Sequence, residues 1–213
     1  MLTVLLLACG PQSTTQYAGT KMSDYFAYDG KRRLTYNNED TTIDWQLIVE
    51  KEEQTTIADG REIITFDYSN GNTGELFGTV QYSSVASDSV FLHGYSSGPT
   101  GELITFETPV PLTDDDDAMR TGDTVETDAK DSTGASWHIA STYVEPVPEC
   151  PSTAQDNFTQ CVHMNVDDGD GDPLTGPLFT GDFTLVASYG AVYQTISGWA
   201  TEWELTDIEY EPE

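Results

Sequence analysis

Basic residues are what this chain has least of for its size: eight Lys plus Arg stand against 37 Asp plus Glu, a formal net charge of −29 over 213 residues. A field of that sign repels phosphate backbones and anionic headgroups, which excludes nucleic-acid binding and electrostatic docking on an anionic bilayer. Cysteine is scarce too, at three residues, far below the density of a small disulfide scaffold. None of them forms a C-x-x-C pair, so the usual zinc and thioredoxin-type spacings are missing. No apolar run approaches the roughly 20 residues that a membrane-spanning helix needs. Apolar residues at helical spacing are nearly absent beyond residue 24.

What remains is ample for a folded core. The chain is 37% hydrophobic and 11% aromatic, enough for one domain of generous size. The carboxylates are mostly scattered, as in TIDWQLIVEKEE and TEWELTDIEYEPE, the pattern of a solvated surface rather than one binding patch. Such a surface suits a salty medium, where self-repulsion is screened. Only TDDDDAM (113–119) and DDGDGDP (167–173) are dense acidic runs.

From residue 24 onward, period-two alternation recurs. REIITFDY (61–68), ELFGTVQY (75–82), SVFLHG (89–94) and ELITF (102–106) are short runs rich in β-branched and aromatic residues, separated by ADG, SNGNTG and SSGPTG. The second half adds SWHIASTYV (136–144), QCVHMNV (160–166), DFTLVAS (182–188), AVYQTI (191–196) and TEWELTDIEY (201–210). Strands at this spacing with turn residues between them predict an all-β fold: a single, mostly antiparallel domain built of hairpins, as a sandwich or partial barrel.

The N-terminus reads as an address. Residues 2–8 form a short apolar run, and Leu6-Leu7-Ala8-Cys9-Gly10 resembles the bacterial lipobox. That resemblance implies cleavage before Cys9, lipidation of its sulfur, and passage to the outer membrane of a bacterial envelope, facing the periplasm or the surface. Several acyl chains hold a protein on a bilayer where one is marginal. Signal peptides open on Lys or Arg, whereas Met1 runs directly into the apolar run, so the peptide is expected to be incomplete at its start. The polar stretch GPQSTTQYAGTKMS that follows reads as a flexible tether. The expected organisation is a signal peptide over 1–8, a lipidated Cys and tether over 9–23, and a β-rich domain over 24–213.

DYFAYDGKRRLTY (24–36) also resembles the start of a group of uncharacterised bacterial lipoproteins that open D-Y-F-P-x-x-x-G-x-x-W-x-Y. Asp24, Tyr25, Phe26, Gly30 and Tyr36 match, while Ala27 and Leu34 replace the Pro and Trp. DNFTQCVHMNV (156–166) and TLVASYGAVYQTISGWATEWEL (184–205) are similar to later strands of that group. The resemblance implies a β-rich envelope lipoprotein and no activity.

Chemistry-bearing residues are few. Cys150 and Cys161 bracket a ten-residue polar loop, and in an exported protein such a pair predicts a disulfide worth about 3 kcal/mol in loop-closure entropy. In the second acidic run Asp168, Asp170 and Asp172 alternate with glycine, as carboxylates around calcium do. Pro173 and Phe179 stand where an EF-hand needs its turn glycine and bidentate Glu, so calcium and a bare solvated turn both stand as readings. HGYSSG (93–98) contains G-x-S-x-G with Ser96 in the nucleophile position, but a turn and a strand follow where a hydrolase needs a helix. His93, His138 and His163 lie in predicted strands at no ligand spacing. Trp137, Trp199 and Trp203, with Tyr189, Tyr193 and Tyr210, read either as strand packing or as an exposed face for a protein or glycan ligand. The function that these features support is a lipid-anchored, non-enzymatic recognition or structural module. Its alternative is an extracytoplasmic esterase- or glycosidase-like hydrolase using His93, Ser96 or a carboxylate pair.

Overall fold

A computed structural model describes residues 23–26, 31–38, 40, 42–51, 55–56, 62–84, 89–98, 101–113, 122–144, 161–169, 177–186, 190–199 and 201–211. One helical turn, α1 (Ser23–Phe26), precedes β1 (Lys31–Asn38), β2 (Leu47–Lys51), the short β3 (Thr55–Thr56), β4 (Glu62–Asn70), β5 (Leu76–Ser84) and β6 (Val90–Ser97). Then come β7 (Ile104–Pro111), β8 (Thr124–Lys130), β9 (Ser136–Val144), β10 (Cys161–Asp167), β11 (Gly181–Val186), β12 (Gly190–Ile196) and β13 (Glu202–Glu211).

The strands form one sheet in the order β7-β6-β5-β4-β2-β1-β13-β12-β11-β10-β9-β8, with β3 pairing off this path onto β4. Apart from the short β3 and the break between β7 and β8, each strand lies beside its neighbour in the chain, and the first strand closes on the last: β1 pairs β13 antiparallel, Leu34 opposite Ile208 and Asn38 opposite Trp203. The two ends of the row meet as well. Phe106, in β7, bridges to Asp131 just past β8, and the N–H of Ser132 donates to the carbonyl of Thr105 at 2.7 Å. The result is an antiparallel sheet nearly closed into an up-and-down barrel, which leaves little unpaired edge. The all-β, hairpin-built architecture read from the sequence is what forms.

Alternation sets inside from outside. In β1, Leu34 and Tyr36 are buried while Arg33 and Asn37 are exposed. In β8, half-buried Val125, Thr127 and Ala129 alternate with exposed Glu126, Asp128 and Lys130. Apolar-in and charged-out is the reverse of a lipid-spanning barrel, whose outer band is apolar. Exposed pairs on this surface, such as Arg33–Glu50 at 3.6 Å, add little stability.

Both openings of the barrel are stoppered by aromatic side chains. At the end near the starts of β1 and β12, α1 brings in Tyr25, buried to 3%, and Phe26, whose ring lies 5.6 Å from that of Tyr82. At the opposite end the 177–180 turn folds inward and buries Leu178 and Phe179. Phe179 stacks edge-on against Tyr95 at 5.2 Å and sits 6.2 Å from both Trp137 and Phe106. A second aromatic group beside it joins Trp45 to Trp203 at 4.7 Å and to Phe77 at 5.1 Å. Gly78 makes room for this turn. A Cβ there would lie 2.7 Å from Leu178 Cδ1 and 2.3 Å from the Ser96 carbonyl oxygen, and its φ is +156°, so only glycine fits without a shift.

Candidate functional site in the barrel interior

Between the two stoppers the barrel is not filled. A cavity of about 40 Å³ runs through its interior, more than the 10–15 Å³ that one water occupies on this scale and far less than a drug-sized pocket. Its wall is aromatic and aliphatic, from Tyr25 and Phe26 at one end to Phe179 at the other, with Phe66, Met164 and Phe183 between. Among its tyrosines, Tyr36 Oη donates to the carbonyl of Ala191 at 2.6 Å. Burial pushes the Tyr68 hydroxyl well above the usual tyrosine range, so it stays neutral at physiological pH. Among the described residues no His, Cys, Asp or Glu belongs to the lining. A wall of this kind presents mainly apolar surface.

Gln194 is the exception in that wall. It is 1% exposed, lines the cavity and has no hydrogen-bond partner for its Nε2. Opposite it in β13 stands Trp203, fully buried, with its Nε1 likewise unpaired. Opposite Trp203 in β1 stands Asn38, whose Oδ1 is buried without a partner. Three neighbouring strands thus carry a row of unmet polar atoms. The signal was readable in AVYQTI, where Gln194 falls in the apolar phase of an alternating strand, but alternation alone does not say what the amide faces.

A second polar feature holds the seam of the barrel. Asp131 is 1% exposed, and its carboxylate accepts from the Thr133 N–H at 2.9 Å, the Thr133 hydroxyl at 2.6 Å, the Ala135 N–H at 3.0 Å and the Trp137 Nε1–H at 2.9 Å. Burial acts to raise its pKa, but the bonds from Thr133, Trp137 and Ala135 prevail and hold it below the ordinary carboxylate value. Tyr95, in contact with the same end, is pushed up to about 12 by burial and by the charges of Asp131 and Asp168. D-S-T-G is a turn signal; the indole donor six residues away is not.

The sites expected from the sequence fare unevenly. Cys9, Cys150, Asp170, Asp172 and the run 114–117 lie outside the described residues. Cys161 is buried to 2% at the first position of β10. Asp168 is half-buried just past β10. Among the described residues no three His, Cys, Asp or Glu side chains converge as metal ligands.

Ser96 belongs to β6 rather than to a nucleophile turn, and its buried hydroxyl accepts the N–H of Thr79 at 3.1 Å. The hydroxyl that His93 Nε2 meets is that of Ser83, at 2.5 Å. Both residues are buried, at 1% and 7% exposure, so this pair does not present an oxygen to a substrate. His138 is exposed, and its hydrogen bond with Asp128 at 2.8 Å raises its pKa above the ordinary histidine value. His163 pairs with Asp182 at 3.5 Å. The tryptophans form no exposed face. Trp203 is wholly buried, Trp137 and Trp199 pack within the two aromatic groups, and Leu103 is the only exposed large hydrophobic residue among those described. No known family, no curated protein and no solved structure matches this chain.

Proposed function

We propose that this chain is a non-enzymatic binding module, anchored by lipid to a bacterial envelope, whose barrel encloses a small apolar molecule. The observation that carries the reading is the apolar cavity held between two aromatic stoppers. A barrel that needed only to be stable would gain about 24 cal/mol for each Å³ of void it filled. The acidic outer surface gives solubility and repulsion from other anionic surfaces, which suits a domain standing off a membrane on a tether. Tyr25 and Phe26, two of the residues on which the resemblance to envelope lipoproteins rests, form one stopper. The disulfide belongs to the same proposal. Cys161 is buried at the start of β10, and Cys150 closes the shortest loop to it.

Two measurements test this. Xenon, an apolar probe small enough for a cavity of about 40 Å³, is expected to raise the melting temperature in a saturable way as its concentration passes its Kd, since a ligand that binds only the folded state stabilises it. Absence of any shift up to its solubility limit would remove the binding reading. Metabolic labelling with a palmitate analogue is expected to mark the protein in a bacterial host, and Cys9→Ala to abolish the label. Persistent labelling of the mutant would refute the anchor.

A further inference from the structure

Resting on the binding reading above, we infer that Gln194 decides what the cavity accepts: its buried amide holds ordered water there, and an apolar occupant enters only by displacing that water. Gln194 is the lining residue whose side chain is both deeply buried and unmet, 1% exposed with no partner for Nε2. Native interiors contain few such groups, because a buried donor without an acceptor keeps its full desolvation cost. The strand alternates strictly around it, with Val192, Gln194 and Ile196 buried and Tyr193 and Thr195 half-buried. Strand period thus turns the amide inward among apolar neighbours.

Space and chemistry select water. The cavity of about 40 Å³ has room for about three waters at roughly 10–15 Å³ each. Water both donates and accepts, so it meets the amide whichever of its two polar ends faces the space, whereas a ligand with only an acceptor meets one of them. A water in a mainly apolar cavity needs more than one polar partner. Tyr68, on β4, provides the second. It lines the same cavity, and its hydroxyl owes its raised pKa to burial, with no hydrogen bond among the causes. In its neutral form that hydroxyl both donates and accepts. A short file of water therefore has a polar group to end on at β12 and another at β4, between walls that are mainly aromatic and aliphatic. Xenon takes most of the same space and offers neither donor nor acceptor, so its entry strips both groups of their partner.

The full chain and xenon, as the apolar probe, serve for the test. A crystal structure of the parent protein is expected to place a water within about 3 Å of the Gln194 amide. Xenon Kd values, read from melting-temperature shifts under xenon pressure, are expected to fall about five-fold in Gln194→Met, the worth of the one net hydrogen bond that the parent gives up on binding. Met keeps the length of Gln and carries no N–H, so the substitution should not impair folding. Gln194→Val, shorter and favoured in strands, should gain at least as much. A gain in Gln194→Val without one in Gln194→Met would trace to enlarged space and overturn the inference. A dry cavity in the parent, or equal xenon affinity in the parent and Gln194→Met, would also overturn it and leave the apolar reading standing. Xenon binding to none of the three proteins would overturn the apolar reading itself, while the parent crystal structure alone decides whether Gln194 holds water.

Discussion

Phe179→Ala is expected to cost the fold about 4 kcal/mol, as truncation of a buried aromatic does when the site cannot collapse. The ring is 1% exposed and is the common neighbour of Tyr95, Phe106 and Trp137. Those three come from three different strands, so their backbones are fixed by sheet hydrogen bonds and cannot move in to fill the space. Urea denaturation should show a lowered midpoint with an unchanged slope, and the melting temperature should fall by roughly 10 °C for a domain of this size. The same substitution opens the stopper at that end of the cavity, so xenon should gain affinity while the fold loses stability. A loss below about 1 kcal/mol would mean that the 177–180 turn is loosely held and that the stopper is not part of the core.

The second large effect is expected at Asp131. Asp131→Ala should destabilise by about 3 kcal/mol, because it strands the Trp137 Nε1–H and the turn N–H groups of Thr133 and Ala135 that now share the carboxylate. Asp131 is also the bridge partner of Phe106, so the loss falls on the seam where the sheet closes. Asp131→Asn keeps an acceptor and the shape and should cost less, about 1–2 kcal/mol. The pH dependence has a definite sign. The folded carboxyl has a lowered pKa, so its contribution is fully present above the unfolded value near 4 and is lost as pH falls through the lower, folded value. The stability difference between the parent and Asp131→Asn should therefore be largest near neutral pH and shrink in strong acid. A difference that stays constant from pH 7 to the acid limit would show that the charge on Asp131 plays no part. Comparison with the variant is needed because acid also relieves the repulsion within a chain of net charge −29.

How much of this was legible beforehand differs by element. β4, β5, β9 and β10 through β13 were readable because their side chains alternate between apolar and polar over six or more residues, and strand period is a local property. β8 (TVETDAK) was not, since its inward positions are Val125, Thr127 and Ala129, too small and too mixed to signal a buried face. β2 (LIVEK) hid inside an acid-rich stretch, its burial coming from both faces. β7 continues through Pro109 and Pro111, residues that usually end a strand; it lies at the end of the hydrogen-bonded row, where a missing N–H is tolerated. The histidines and Ser96 looked like possible chemistry in one dimension. Only the packed structure showed that His93 Nε2 meets the Ser83 hydroxyl and that both are covered.

The sequence alone determined that this protein is an acidic, antiparallel all-β domain, because charge balance, strand period and turn chemistry are each written within a few residues. Which strands would be neighbours at the closing seams, β1 with β13 and β7 with β8, was decided only in three dimensions. That closure fixes the register of strands from opposite ends of the chain. It sets Asn38, Trp203 and Gln194 side by side, drives Tyr25 and Phe179 into the two openings, and leaves between them a space that no local pattern encodes.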